Sequence, residues 1–119
     1  MTAKNRFIVR GKFIDPGGLM DAQRSADNSL TKVLPSQELL DAWEKSGRIV
    51  AGGIVAGCRE IVFLVDVDTN DELSALIASL PFWGLLTWDV QALQTFAARA
   101  QQSRAVYGAD AKASKAGAA

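Results

Sequence analysis

Few residue types in this chain can carry out acid–base or nucleophilic chemistry. The sequence has 119 residues, and none of them is a histidine. This excludes Ser-His and Cys-His nucleophile pairs and every zinc site that contains histidine. Acid–base work is left to Asp, Glu, Lys, Tyr and the single cysteine, Cys58. Arg59 follows Cys58 in a predicted turn and could activate the thiol, but without a histidine base an inert thiol is favoured.

The candidates for binding and proton transfer are one arginine and a set of acids. Arg10 lies in the middle of the first predicted strand, where its planar guanidinium could bind a carboxylate or an enolate. The alternative for Arg10 is a surface or interface ion pair. Glu38, Asp41 and Glu44 lie on the first predicted long helix, and a buried acid there could act as a base. The apolar residues of that helix define its buried face, so we expect the acids to face water.

Two glycines and three aromatic residues are the candidates for a ligand pocket. Gly52 and Gly53 interrupt the second predicted strand, which indicates either a β-bulge or an opening for a flat ligand against the sheet. Trp83, Trp88 and Phe82 cluster around the last predicted strand. They could line an apolar pocket, although packing in the core or at a subunit interface is the favoured interpretation.

The elements that must position these residues follow from the hydrophobic pattern. Alternating and continuous apolar runs predict strands at residues 6–14, 48–56, 60–67 and 85–90. Helical stripes predict helices at residues 36–46, 70–80 and 93–107. The first begins after Pro35 with Ser36 as a cap, and the second begins with the capping-box pair Thr69 and Glu72. Residues 15–18 predict a turn, and residues 19–33 predict only one or two short helical turns.

The order of these elements is β-α-β-β-α-β followed by a C-terminal helix, which predicts an α+β fold with a ferredoxin-like antiparallel sheet. We expect one domain over residues 1–108 and a flexible Ala/Lys/Gly tail over residues 109–119. Helices can cover only one face of this sheet, whereas the second and third strands carry apolar residues on both faces. A second copy of the sheet would cover the other face, which predicts a homodimer or a larger even assembly in the form of a dimeric α+β barrel.

Composition limits the partners. Thirteen basic and thirteen acidic side chains cancel in charge, and no basic block is present, so we expect no nucleic-acid or membrane-surface partner. No apolar run is long enough to span a bilayer, and the first six residues have no apolar signal core. With a single cysteine, the chain is expected to be cytoplasmic.

Two segments resemble the C-terminal half of muconolactone delta-isomerase and its chloromuconolactone-dehalogenating relatives. They are residues 63–73, with Asp71-Glu72-Leu73 at a helix start, and residues 79–90 with Leu93, where Ser79-Leu80-Pro81-Phe82 ends the helix. Val9-Arg10 and the glycines Gly47 and Gly57 can also be aligned. The resemblance covers residues 6–14 and 39–93 and fails across residues 15–34.

The resemblance implies a dimeric α+β barrel with its pocket between sheet and helices. It also implies a reaction that moves a proton beside a lactone carbonyl without a metal or organic cofactor. Family members carry a glutamate early in the first long helix, where this chain has Ser36; Glu38 is the nearest acid. Family histidines have no counterpart here, and the second strand lacks the family's Trp, Arg and Tyr.

Two functions are therefore expected from the sequence. The first is a small isomerase-like or lyase-like enzyme for a carboxylate or lactone substrate, with Arg10 and Glu38 as catalytic residues and Gly52, Gly53, Trp83 and Trp88 as substrate-binding residues. The second is a non-catalytic module for small-ligand binding or assembly that has lost the family acid and histidines. A third possibility is that the C-terminal helix docks on a different protein.

Overall fold

The computed structural model describes residues 5–14 and 22–118, with the side chains of residues 22 and 109–118 left undescribed. The predicted turn at residues 15–18 and the start of the ambiguous segment after it lie outside these ranges. The strands are β1 (Asn5–Phe13), β2 (Ile49–Ile54), β3 (Glu60–Val67) and β4 (Leu86–Leu93). The helices are α1 (Ala22–Asn28), α2 (Leu34–Lys45), α3 (Asn70–Ala78) and α4 (Phe96–Ala118), with a π-helix at Ser29–Val33 and a 3₁₀ turn at Trp83–Leu85.

The four strands form one antiparallel sheet in the order β2-β3-β1-β4. This is the strand order that two right-handed crossovers of a β-α-β-β-α-β chain produce, so the predicted ferredoxin-like α+β fold is confirmed. The pairing of two such sheets into a barrel stays a prediction.

The core lies between the helices and one face of the sheet. Along β3, Ile61, Phe63, Val65 and Val67 are buried, and the alternate residues are only half-buried. The buried set on α3 is Leu73, Leu76 and Ile77. We call the helix-covered side the inner face and the other side the outer face.

The Thr69 cap predicted for α3 is present, and the reciprocal bond of the capping box is shifted by one residue. The hydroxyl of Thr69 accepts a hydrogen bond from the backbone N–H of Glu72 at 3.1 Å. The carboxylate of Glu72 accepts one from the N–H of Asp68 at 2.9 Å, one residue earlier than a capping box requires. Both bonds satisfy backbone donors at the start of the helix. The negative charges of Asp71 and Glu72 in the first turn also interact favourably with the positive end of the helix dipole.

The predicted start of the first long helix at Ser36 was wrong. The backbone is helical from Ala22 through Lys45, and Pro35 lies within this run as the second residue of α2, just beyond the π-helix. A π-helical turn relaxes the i→i−4 pattern that a proline would otherwise break. Ser36 is not a cap. It is fully buried, and its hydroxyl donates to the carbonyl of Lys32 at 2.7 Å and accepts from the N–H of Phe82 at 3.0 Å.

The last helix is longer than predicted. It begins at Phe96 rather than at residue 93, because β4 continues to Leu93, and it runs to Ala118 rather than ending near Tyr107. Alanine and lysine, which are frequent in this segment, favour helix. Phe96 is 95% exposed, and Val106 and Tyr107 are also exposed. The described side chains of α4 are therefore hardly buried by the rest of the chain.

Candidate functional site

A cavity with a volume of about 580 Å³ lies within the described part of the chain. It lies between the helical segment that ends in α2 and the end of the sheet where β2 turns into β3. Its floor is apolar and includes Phe13, Ile61, Phe82 and Leu85. Ligand pockets in proteins commonly have volumes of 300–1,000 Å³ and largely apolar walls. A small ring-containing molecule therefore fits this cavity.

Polar groups border the cavity on two sides. On the helical side these are Ser25 and Asn28 of α1, Ser29 of the π-helix and Gln37 of α2. On the sheet side the turn between β2 and β3 contributes Arg59 and the exposed thiol of Cys58. No carboxylate of the described residues lies within ion-pair distance of Arg59. The cavity therefore has a cation at its edge that is available to an anionic ligand.

A second cavity, of about 300 Å³, lies beside the first, between α2 and the strands β2 and β3. Both cavities are bordered by Gln37, Ile54 and Ile61, so they adjoin each other. Gly52 and Gly53 line the smaller one. At these two positions α2 faces bare backbone instead of side chains, which leaves room for the cavity.

The shape of β2 requires glycine at one of these two positions. Gly52 has a φ of 157°, and a Cβ built there would lie 2.5 Å from the Cβ of Phe63 and 2.5 Å from the carbonyl oxygen of Val62. The strand pairing shifts by one residue between Ile49 and Ala51, so a β-bulge lies just before the two glycines and not at them, where the sequence suggested one. At Gly52 itself the backbone of β2 lies closer to β3 than any side chain would permit.

The helical wall of the smaller cavity is one stripe of α2. Gln37, Leu40, Asp41 and Glu44 follow the i, i+3, i+4, i+7 spacing of one helix face, and all four line the cavity. Lys45 forms an ion pair with Asp41 at 2.8 Å. The hydrogen bond and charge of Asp41 raise the pKa of Lys45 above its ordinary value. Glu44 has no such cation among the described residues.

The structure places Arg10 on the outer face of the sheet, away from both cavities. Its neighbour Val9 is fully buried against the helices, and successive side chains of a strand point to opposite faces. The guanidinium of Arg10 donates to the carboxylate of Glu60 at 3.2 Å and is 51% exposed. Asp89 is its register partner on β4.

The other predicted site residues also lie apart. Glu38 is exposed on α2 and lies outside the stripe that faces the cavities. The indole of Trp88 donates to the carbonyl of Trp83 at 3.0 Å, and its ring packs edge-on against Phe82 with centroids 6.2 Å apart. Phe82 lines the larger cavity, so Trp88 supports the cavity floor from behind. Of the six residues given catalytic or substrate-binding roles, only Gly52 and Gly53 border a cavity directly. Four further candidates from the sequence also line a cavity: Phe82 and Cys58 the larger one, and Asp41 and Glu44 the smaller one.

Sequence reasoning missed Gln37, Arg59 and the polar residues before α2. A usable signal was present: Ser25, Ser29, Val33 and Gln37 recur every four residues and form one helical stripe. Pro35, which lies between Val33 and Gln37, hid this periodicity, because it indicated a helix start and not a continuation.

The described residues have neither a metal-binding cluster nor a membrane-spanning helix. They contain no group of three or more His, Cys, Asp or Glu side chains arranged to hold a metal ion. None of the helices in the described part of the chain is long and apolar enough to cross a membrane.

A ferredoxin-like domain with a cavity between its helices and its sheet defines a broad class of small ligand-binding proteins and enzymes. Within it, the model of the muconolactone delta-isomerase family matches residues 19–99. The chain therefore belongs to the muconolactone delta-isomerase family. The match includes α1 and the π-helix, where the resemblance seen in the sequence failed, and it leaves out β1, so the assignment of Arg10 has no support from it.

Among solved structures, the chain is similar to 5-chloro-2-hydroxyhydroquinone dehydrochlorinase (TftG) from Burkholderia phenoliruptrix AC1100, in complex with 2,5-dihydroxybenzoquinone. The two chains are 20% identical and superpose with a TM-score of 0.48 over 74% of this chain and 93% of the other. No curated protein matches the sequence.

Proposed function

We propose that this protein is a small isomerase-like or lyase-like enzyme that binds a carboxylate or lactone substrate between its helices and its sheet. Membership of the muconolactone delta-isomerase family supports the class of reaction. The observation that carries the proposal is the cavity of about 580 Å³, which has an apolar floor and, at its edge, an arginine that forms no ion pair with any described carboxylate.

The described residues suggest a division of roles. The rings of Phe13 and Phe82 would pack against the substrate, with Trp88 behind Phe82. Arg59 would hold the anionic group, since a guanidinium binds a carboxylate through two parallel hydrogen bonds. The proposal thereby moves the anion-binding role from Arg10, which faces the other side of the sheet and is already paired with Glu60.

Gly52 and Gly53 remain in the proposal as the bare backbone wall of the adjoining cavity. Trp83 contributes through its carbonyl, which holds the indole of Trp88. Glu38 is exposed and lies outside the stripe of α2 that faces the cavities. Its predicted catalytic role therefore has little support from the geometry.

The proposal is tested by offering the purified protein muconolactone and chlorinated muconolactones and following product formation by NMR. We expect turnover of at least one lactone, and we expect Gln37→Trp to abolish it because the indole would fill the junction of the two cavities. Gln102→Trp, an equally large substitution at an exposed position of α4, should leave turnover intact. The proposal would be refuted if none of the lactones were either bound or converted.

One observation favours the non-catalytic alternative. Ser36 occupies the position where the family resemblance implies a glutamate, and its hydroxyl is used in two structural hydrogen bonds. A protein that had lost its base but kept its cavity would bind lactones without converting them. Binding detected by NMR together with unchanged lactone over many hours would establish this alternative.

A further inference from the structure

We infer that the two cavities form one binding site with opposite charges at its two ends, suited to a carboxylate that carries a hydroxyl or ammonium group at its far end. The inference deepens the proposed function and rests on its placement of the substrate between helices and sheet. It names a property of the ligand that neither the family nor the proposed reaction specifies.

The two cavities are continuous with each other. The larger cavity of about 580 Å³ and the smaller one of about 300 Å³ are both bordered by Gln37, Ile54 and Ile61. Gln37 is exposed and polar, so its side chain can move aside or bond to a ligand that occupies both parts. Its amide offers a donor and an acceptor at the junction.

The larger end carries the available positive charge. Arg59 lines it, and no described carboxylate pairs with its guanidinium. Glu60 also borders this end, but its carboxylate accepts from Arg10 at 3.2 Å and is thereby partly neutralised. The hydroxyl of Ser29 donates to the carbonyl of Ser25 at 2.9 Å, and its oxygen can still accept from a ligand. A carboxylate bound at this end would be held by Arg59.

The smaller end carries the available negative charge. Asp41 and Glu44 line it from α2, while Gly52 and Gly53 line it from the sheet without adding a side chain. Lys45 pairs with Asp41 at 2.8 Å, which leaves Glu44 as the carboxylate of this end that has no ion pair with a described residue. An ionised carboxylate only accepts hydrogen bonds, so it favours a ligand donor and repels a second ligand carboxylate.

The consequence is selectivity between three kinds of carboxylate. A simple monocarboxylate uses only Arg59. A hydroxylated or amino-bearing carboxylate of suitable length also donates to Glu44 and binds more tightly. A dicarboxylate places its second negative charge against Glu44 and binds no better than the simple acid. Lactone chemistry alone does not require this order.

The experiment measures binding by NMR titration of the ¹⁵N-labelled protein, following the side-chain amide of Gln37 at the junction. The probes are benzoate, phenylacetate and 3-phenylpropionate, each with and without a 4-hydroxyl group, because the graded lengths allow for the distance between the two ends. At one or more lengths the hydroxylated probe should bind about fivefold to tenfold more tightly, an advantage just below the usual range for a hydrogen bond to a charged group, because Glu44 is exposed.

Variants assign the two ends. Glu44→Gln should remove the advantage of the hydroxyl while leaving the plain carboxylates unchanged, and Arg59→Gln should weaken every probe about tenfold. Asp71→Asn and Arg48→Gln remove matched charges at exposed positions that line neither cavity, and both should bind like the parent protein. All four positions are exposed, so the variants should fold, and their spectra will show this directly.

Several results would overturn the inference: no binding of any probe, equal binding of plain and hydroxylated probes at every length, or an advantage that survives Glu44→Gln. The proposed function fails differently. A hydroxyl advantage without turnover of any lactone supports the two-ended site and rejects the proposed catalysis. Lactone turnover without a hydroxyl advantage rejects the two-ended site and keeps the enzyme.

Discussion

Replacing Gly52 by alanine tests whether the backbone of β2 must approach β3 as closely as the structure shows. The added Cβ would lie 2.5 Å from both the Cβ of Phe63 and the carbonyl oxygen of Val62, and 2.7 Å from the Cα of Phe63. These atoms belong to the central strand β3, which cannot swing away as a surface side chain can. The backbone at Gly52 also has a φ of 157°, which L-residues rarely adopt. Gly53, where a Cβ would meet nothing within 4 Å, is the matched control.

The expected cost combines two effects. Overpacking a well-packed site costs about 1–3 kcal/mol, and holding a non-glycine residue in a sparsely populated backbone region costs about 1–3 kcal/mol. We therefore expect Gly52→Ala to lower the free energy of unfolding by about 2–6 kcal/mol, a large part of the roughly 5–15 kcal/mol of a typical domain. For a chain of this length that corresponds to a melting temperature lower by about 8–24 °C. Gly53→Ala should change the free energy of unfolding by less than about 0.5 kcal/mol.

The assay is urea denaturation followed by circular dichroism. Parent and variants are compared at one protein concentration, because any self-association shifts apparent stability with concentration. Equal midpoints for Gly52→Ala and Gly53→Ala would refute the argument, since the two substitutions add the same methyl group to adjacent residues. A loss of the same size in both variants would show that the whole strand, and not the one close approach, is intolerant.

Three further substitutions probe the fold and the assembly. Ser36→Ala should lower the free energy of unfolding by about 1–3 kcal/mol, because the N–H of Phe82 loses its 3.0 Å partner in a buried position; an unchanged urea midpoint would contradict this. Thr69→Ala removes the cap of α3 and should cost about 1 kcal/mol in the same assay, whereas Thr69→Ser should restore most of it. Ile8→Lys places a charge at the half-buried centre of the outer face, and sedimentation velocity should show a smaller species than the parent if copies pair through that face. Sedimentation of the parent protein as a monomer would contradict the predicted dimer.

Elements specified by local chemistry could be predicted from the sequence. The bounds of β3 agree with the prediction, because its apolar run is bordered by a turn and by a polar helix entry. The helix α3 begins at its predicted cap, Thr69. The start of α2 could not be predicted locally, because Ser36 bonds to Phe82, which lies 46 residues further along the chain. That long-range contact overrides the usual meaning of Pro-Ser as a helix start.

The site was less predictable than the fold. Gly52 and Gly53 could be singled out because paired glycines are unusual in a strand, but the residues opposite them depend on how α2 packs. A difference of one position on that helix decides whether a side chain faces the cavities, as Gln37 does, or the solvent, as Glu38 does. Arg59 gave no signal of its own, since its place at the cavity edge follows from the approach of α1 and the π-helix to the turn after β2.

The outer face of the sheet offers a different role for Arg10. Arg10–Glu60 and Arg6–Asp66 are ion pairs between β1 and β3, at 3.2 Å and 2.7 Å. Around them Ile8 of β1 and the outer-face residues Val62 and Leu64 of β3 are only half-buried in a single chain. Exposed ion pairs of this kind contribute little to stability in water. If a second sheet covered these ion pairs, the charges would be removed from water. Each charge would then need a partner, and each already has one. The pairing of Arg10 with Glu60 is therefore the arrangement that a surface buried in an assembly requires, and this accounts for its position better than a role in binding substrate on the opposite side.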